Sequence, residues 1–180
     1  MISFKSKITV KLFDYFFLNP EAERYVNELA GILKVDPKNL HRKLEELEKE
    51  GILKSEFRGK ERYFSLVADF PLLEQYRQIF LKTFGLERRL KEIVAGISGI
   101  KKAYVFGSYA SNKMDSSSDI DLLVVGKHSV LELQKQIVRL QRELGREINV
   151  VNMDEKEFKA RKKKDQFVKN IFNAKVIGLL

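Results

Sequence analysis

At 180 residues, with 44% hydrophobic and 33% charged content, the chain has room for one ordinary domain or two small ones and enough apolar material to pack them. Having no cysteine excludes disulfides and thiolate-bound metals, and two histidines, His41 and His128, argue against a zinc site and give neither a role. A net charge of +9 points to an anionic partner such as nucleic acid or nucleotide, and the surplus is uneven: residues 1–70 carry 13 Lys+Arg against 12 Asp+Glu, residues 71–180 carry 21 against 13.

No apolar run is long enough to span a bilayer and "MISFKSKITVK" holds no signal-peptide core, so a cytoplasmic protein without a membrane partner is expected. The apolar stretch "KITVKLFDYFF" predicts a first helix. In "RYVNELAGIL", Val26, Leu29, Ala30 and Leu33 recur at helical spacing. Asp36 is a good N-cap and Pro37 suits the first helical position, so "PKNLHRKLEELEKE" predicts a third helix with Leu40, Leu44 and Leu47 on one stripe and Gly51 as its stop. "ILKSEF" and "ERYFSL" around "RGK" read as a hairpin.

Helix, turn, helix and a basic-tipped hairpin, with "LEELEKEGIL" before the hairpin, resemble the winged helix-turn-helix of ArsR/MarR-like regulators over about the first 68 residues. That resemblance implies DNA as a partner, with Lys38, Asn39 and Arg42 reaching the major groove and Arg58 and Lys60 at the wing tip. Glu45, Glu46, Glu48 and Glu50 offset the local charge. A solvated helix and an ordinary polar hairpin are the alternative.

Residues 71–97 predict one long or broken helix, with Leu72, Leu73, Tyr76, Ile79, Phe80 and Phe84 on one face, Gly85 interrupting, and Leu86, Leu90, Ile93 and Val94 continuing. It reads as a connector or as the dimerisation helix of a homodimer.

Beyond it, strands and helices alternate: strands "KKAYVFG", "DIDLLVVG" and "EINVVNM"; a helix "SVLELQKQIVRLQREL" with Leu131, Ile137, Val138 and Leu140 among its apolar positions; helices "DEKEFKARKKK" and "DQFVKNIF"; and a closing "AKVIGLL". That order predicts an α/β sandwich on a small mixed sheet. "KEFKARKKKD" is the most basic run, either a solvated helix face or a surface for nucleic acid or an acidic protein.

Asp119 and Asp121 interrupt an otherwise hydrophobic strand. Side chains at i and i+2 project to one side, about 7 Å apart along the backbone, where two like charges repel unless a cation offsets them. A hard divalent ion with oxygen ligands, Mg²⁺ (or Mn²⁺), is the natural counter-charge. Gly107 permits close backbone approach and Ser108 offers an N–H and a hydroxyl to phosphate, which together suit phosphoryl or nucleotidyl transfer.

"GSYASNKMDSSSDIDLLVV" resembles the signature of the polymerase-β-like nucleotidyltransferase superfamily, specifically its minimal nucleotidyltransferases, over about residues 98–178. The resemblance implies that Gly107 and Ser108 hold the triphosphate of an NTP, ATP by preference, and that Asp119 and Asp121 are the catalytic carboxylates and metal ligands. Two departures matter. Ala110-Ser111-Asn112 stands where many members read Ala-Arg-Gly, and Asn149 occupies the place of the third catalytic carboxylate, which in the family helps bind the second metal and activate the attacking hydroxyl. Glu147, two residues earlier, is the weaker alternative.

The fold class expected is α+β: a winged helix-turn-helix at 1–68, a helical connector at 69–98, and a small mixed-sheet α/β nucleotidyltransferase-like domain at 99–180. The functions implied are a DNA-binding transcriptional regulator with a Mg-NTP-binding, weakly active domain, or an active nucleotidyltransferase moving NMP to a hydroxyl of RNA, a small molecule or a toxin-like partner protein. A purely structural protein is the third reading.

Overall fold

Asp36 caps the third helix by accepting from the backbone N–H of Asn39 at 2.9 Å, and Pro37 opens it, as the spacing predicts. The structure, a computed structural model, describes residues 4–115 and 118–180. Residues 1–3 of the N-terminal stretch, and Ser116 and Ser117 of the Gly-Ser motif, lie outside the described residues.

The chain divides into two compact units, residues 1–88 and 89–180. The first contains α1 (Lys7–Leu18), β1 (Arg24–Tyr25), α2 (Val26–Leu33), α3 (Pro37–Lys49), β2 (Leu53–Arg58), β3 (Glu61–Leu66) and α4 (Leu73–Thr83). Its three-stranded sheet has the order β1-β3-β2, with both pairings antiparallel. Leu40, Leu44 and Leu47 of α3 are buried against α1 and α2, whose Leu12, Phe16, Leu29 and Leu33 are buried as well. Each such side chain contributes about 1.5–3 kcal/mol on leaving water. Phe13 and Phe17 stack at 4.8 Å, and Phe80 of α4 closes on both at 5.8 and 5.6 Å.

Two expected faces turn out differently. On α4 and at its two ends, Phe80 and Leu81 are buried while Leu72 and Ile79 are exposed; Phe84 is partly exposed but stacks 6.3 Å from the Phe80 ring. Arg24-Tyr25 also forms a strand against Phe64 and Tyr63 rather than the start of a helix. Two residues are too few for any periodicity to announce a strand.

The chain crosses into the second unit within α5 (Leu86–Gly96) and continues with β4 (Ile100–Phe106), α6 (Gly107–Ala110), β5 (Ile120–Gly126), α7 (Val130–Leu144), β6 (Ile148–Met153), α8 (Glu155–Lys164), α9 (Gln166–Asn173) and β7 (Ile177–Gly178). The mixed sheet has the order β6-β5-β4-β7; β5 and β6 run parallel, the other pairs antiparallel. A parallel pair needs a long crossover, which α7 supplies. Ser129 caps α7, Gly145 ends it in a left-handed conformation, and Leu133, Ile137, Leu140 and Leu144 form its buried stripe. Leu131, expected on that stripe, is 68% exposed because it sits two residues out of phase with Leu133.

Residues 120 and 122–125 of β5 are fully or almost fully buried, as a central strand covered on both faces requires. Leu123 and Val125 join Phe106, Met153, Phe158, Val168 and Ile171 in one cluster, so α8 and α9 cover that face. Asp119 and Asp121 precede Leu123 and Val125 in the same alternation.

Candidate active site

Adjacent strands assemble the site. In the antiparallel β4–β5 ladder Phe106 lies opposite Asp121, and in the parallel β5–β6 ladder Asp121 lies beside Asn149. Gly107, one residue past Phe106, has φ +74, and a Cβ there would collide with Asp121 Oδ2. Glycine is therefore required twice over at this position: for the backbone angle, and to let the carboxylate lie against the main chain. Ser108 follows at the start of the short α6 and is half-buried.

Asp119 is exposed and Asp121 half-buried. The Asn149 side-chain amide donates to Asp119 Oδ2 at 3.2 Å. Burial pushes the Asp121 carboxyl above the ordinary value of 3.8, and the neighbouring Asp119 charge pushes it the same way; the Asn149 amide acts in the opposite direction. Asn149 thus lies with the two carboxylates, in the place read for a third acid, and supplies an N–H rather than a charge. Glu147, exposed, lies just before β6 begins at Ile148, and its main-chain carbonyl accepts from Ile120 N–H at 3.0 Å. No group of three or more His, Cys, Asp or Glu side chains disposed to hold a metal occurs among the described residues. Two carboxylates beside a cradle that any Cβ would fill still make an oxygen donor set suited to one hard divalent ion and the phosphates it accompanies.

A side chain unnoticed in the sequence holds the approach to this site. Arg146 is 7% exposed, and its guanidinium donates to the carbonyl of Ser118 at 2.9 Å and to that of Asp115 at 3.0 Å. It therefore fastens both flanks of the motif's polar segment, immediately before Asp119. In the sequence it looks like a solvated arginine just past a helix end, and nothing in the pattern signals its burial. Phe167, at the start of α9, is 45% exposed with its ring 6.1 Å from that of Phe106.

In the first unit, Lys38, Asn39 and Arg42 are exposed on the first turns of α3, and neither Lys38 nor Arg42 forms an ion pair among the described residues. Arg58 is committed elsewhere: it pairs with Glu23 at 2.6 Å and Glu56 at 3.2 Å and lies over the Tyr63 ring. Lys60 is exposed at the hairpin turn. Arg62 bonds Glu48 at 2.5 Å and approaches Glu45 at 3.5 Å, tying β3 to α3 and occupying two of the glutamates that offset the local charge.

The mixed sheet, the Gly-Ser turn and the paired aspartates define a nucleotidyl-transfer type of domain. Residues 87–177, just over half of the chain, match the family described as "Nucleotidyltransferase domain", and the chain belongs to that family. A 56-residue stretch is 45% identical to the "Putative protein adenylyltransferase MJ0435" of Methanocaldococcus jannaschii; the match covers 29% of this chain and 59% of that relative. This chain therefore spans about three-fifths of the curated relative it matches. Among solved structures, a toxin–antitoxin crystal structure with AMP-PNP is 16% identical, covers 52% of this chain and 72% of its own, and has a TM-score of 0.39. No described helix is long and apolar enough to cross a membrane.

Proposed function

We propose that the second unit transfers an adenylyl group from ATP to a hydroxyl side chain of a partner protein. The observation that carries this reading is the contact of Asp121 with Gly107, which sets a carboxylate pair directly against a phosphate-binding turn. The activity named for the Methanocaldococcus relative supports the choice of acceptor.

In the reaction, the acceptor oxygen attacks the α-phosphorus, the bond from that phosphorus to the bridging oxygen of the β-phosphate breaks, and pyrophosphate leaves. Gly107 and Ser108 offer main-chain N–H groups and a hydroxyl to the triphosphate. Asp119 and Asp121 would hold Mg²⁺ or Mn²⁺, which would supply charge neutralisation on the phosphates. Asn149 fixes the orientation of Asp119 through its amide. It has no basic atom to receive the hydroxyl proton, which therefore leaves to solvent water at the exposed face beside Asp119. Arg146 keeps the segment before Asp119 in register. Phe167 offers a flat apolar surface at the same end of the sheet.

The first unit, in this proposal, is a winged helix joined through residues 69–98 to the transferase domain of residues 99–180. Its exposed Lys38, Asn39 and Arg42 favour a second reading as a DNA-binding module, with Lys60 at the wing and Arg58 spoken for by Glu23 and Glu56. Salt-dependent retention on DNA that Arg42→Ala abolishes supports that module; retention equal in wild type and variant removes it. The transfer reading is tested with α-labelled ATP, Mg²⁺ or Mn²⁺ and host lysate. Covalent label on a protein with wild type, and none with Asp119→Asn/Asp121→Asn, is the expected result. Label on RNA or on a small molecule replaces the proposed acceptor. Nucleotide retained without transfer leaves a nucleotide sensor instead.

A further inference from the structure

The far end of the β4–β5 ladder is built around positive charge. Ile100 pairs with Gly126 and Lys102 with Val125, so Lys101 is an extra residue in β4. In a regular strand Lys101 would point with Ala103 and Val105, away from Lys102. The bulge turns it, and both lysines line one cavity of about 350 Å³. Two glycines make the bulge possible. A Cβ on Gly126, at φ +143, would stand 2.9 Å from Lys101 N and overlap the Gly99 carbonyl oxygen; one on Gly99, at φ +88, would stand 2.9 Å from the Lys127 carbonyl carbon.

From the other side, α8 contributes Lys159, Lys162 and Lys163 to the same cavity. Its floor is apolar, with Val125 and Phe158 almost fully buried, and Glu155 is the one carboxylate among its lining residues. None of the five lysines forms an ion pair among the described residues. Lys162 is held in place over the Phe172 ring at 4.9 Å and near that of Phe158 at 6.0 Å. The arginine of the same helix is differently employed: Arg161 pairs with Glu157 at 3.1 Å and Asp165 at 2.7 Å. A cavity of equal volume between α5 and α7 lacks this imbalance, since Arg89 and Arg139 both pair with Glu143.

Five exposed lysines line one hollow, and their like charges repel one another unless an anion sits among them. We propose that this cavity is a second anion site, distinct from the carboxylate site, for a small molecule bearing two or more adjacent phosphates. Lysine binds phosphate as a flexible point charge, and several phosphates are needed to balance five cations against one carboxylate. The size falls in the range of small-ligand pockets. A nucleic-acid strand is less well served, because the cations surround a concavity rather than follow a line and the buried Phe158 offers no open face for a base. Val125 lies four residues from Asp121, about 13 Å along the strand, so the ligand would not compete with the metal and nucleotide.

The test is lysine footprinting of the full chain: acetylation rates read residue by residue, at physiological salt, with inorganic tripolyphosphate as the probe. At about ten times Kd, mass action slows the five cavity lysines about tenfold while Lys38, Lys54 and Lys135 are unaffected. The same pattern in Asp119→Asn/Asp121→Asn separates this site from the proposed catalytic one. Lys159→Gln/Lys163→Gln, both exposed and therefore harmless to folding, should weaken tripolyphosphate binding at least about tenfold. Equal slowing at every exposed lysine, or none at all, overturns the proposal. So does protection by an oligonucleotide or an acidic peptide where tripolyphosphate gives none.

Discussion

At one end of the β4–β5 ladder, Gly107 lets a carboxylate touch the main chain; at the other, Gly126 and Gly99 let two stretches of main chain touch each other. The first close approach gathers negative charge, Asp119 and Asp121, and the second gathers positive charge, Lys101 and Lys102. The same device thus serves opposite electrostatics because the neighbours differ. Asn149 beside the aspartates adds an N–H donor, whereas α8 opposite the lysines adds three more cations. In both places the backbone is fixed by glycine and the charge is left for a ligand to offset.

The largest effect that would break this comparison is loss of the negative end. Asp119→Asn/Asp121→Asn should lower transfer about 10³-fold or more, corresponding to about 4 kcal/mol of lost charge stabilisation, in a radiolabel assay. Lysine footprints at the other end should not change. Gly107→Ala comes next. The added methyl must displace Asp121 and strain a positive φ, so activity should fall about 10²-fold, with about 1–2 kcal/mol of stability lost on thermal melting.

Arg146→Ala should cost about 1–3 kcal/mol, because the buried guanidinium and its two hydrogen bonds to main-chain carbonyls are lost; proteolytic nicking near residue 115 should rise, and Arg146→Lys should recover part of the loss. The smallest effect has the opposite sign. The fold raises the Asp121 carboxyl above 3.8, so between that value and the raised one the folded state binds more protons than the unfolded state. Metal-free stability therefore falls as pH rises through that window, and the penalty is complete above it. Asp121→Asn should raise the metal-free Tm by a few degrees at neutral pH and leave it unchanged below the window. Mg²⁺ should raise the Tm of the wild type and not that of the variant.

The sequence made the second unit legible where one residue type has one structural meaning. Gly107-Ser108 and the Asp-x-Asp interruption located the turn and the carboxylates, and the continuous run after Asp121 read as a hydrophobic strand. The family resemblance set Asn149 in the place of a third acid, and in the sheet it pairs with Asp121 across the parallel β5–β6 ladder. What stayed hidden depends on partners distant in sequence. Arg146 reads as solvated until Asp115 and Ser118 are brought over it, and the bulge at Lys101 is invisible without the register of β5. Leu72 misled for a related reason: periodicity gives an apolar side but not how much of it a neighbouring element covers.

The bonds from Arg146 also bear on how the chain is made. Asp115 and Ser118 are held by a guanidinium that is synthesised some thirty residues later, and Asp121 meets Asn149 only once the intervening α7 has crossed over. During synthesis from the N-terminus, the two aspartates leave the ribosome well before either fastening exists. The carboxylate end of the sheet therefore cannot reach its folded shape on a nascent chain shorter than its third strand.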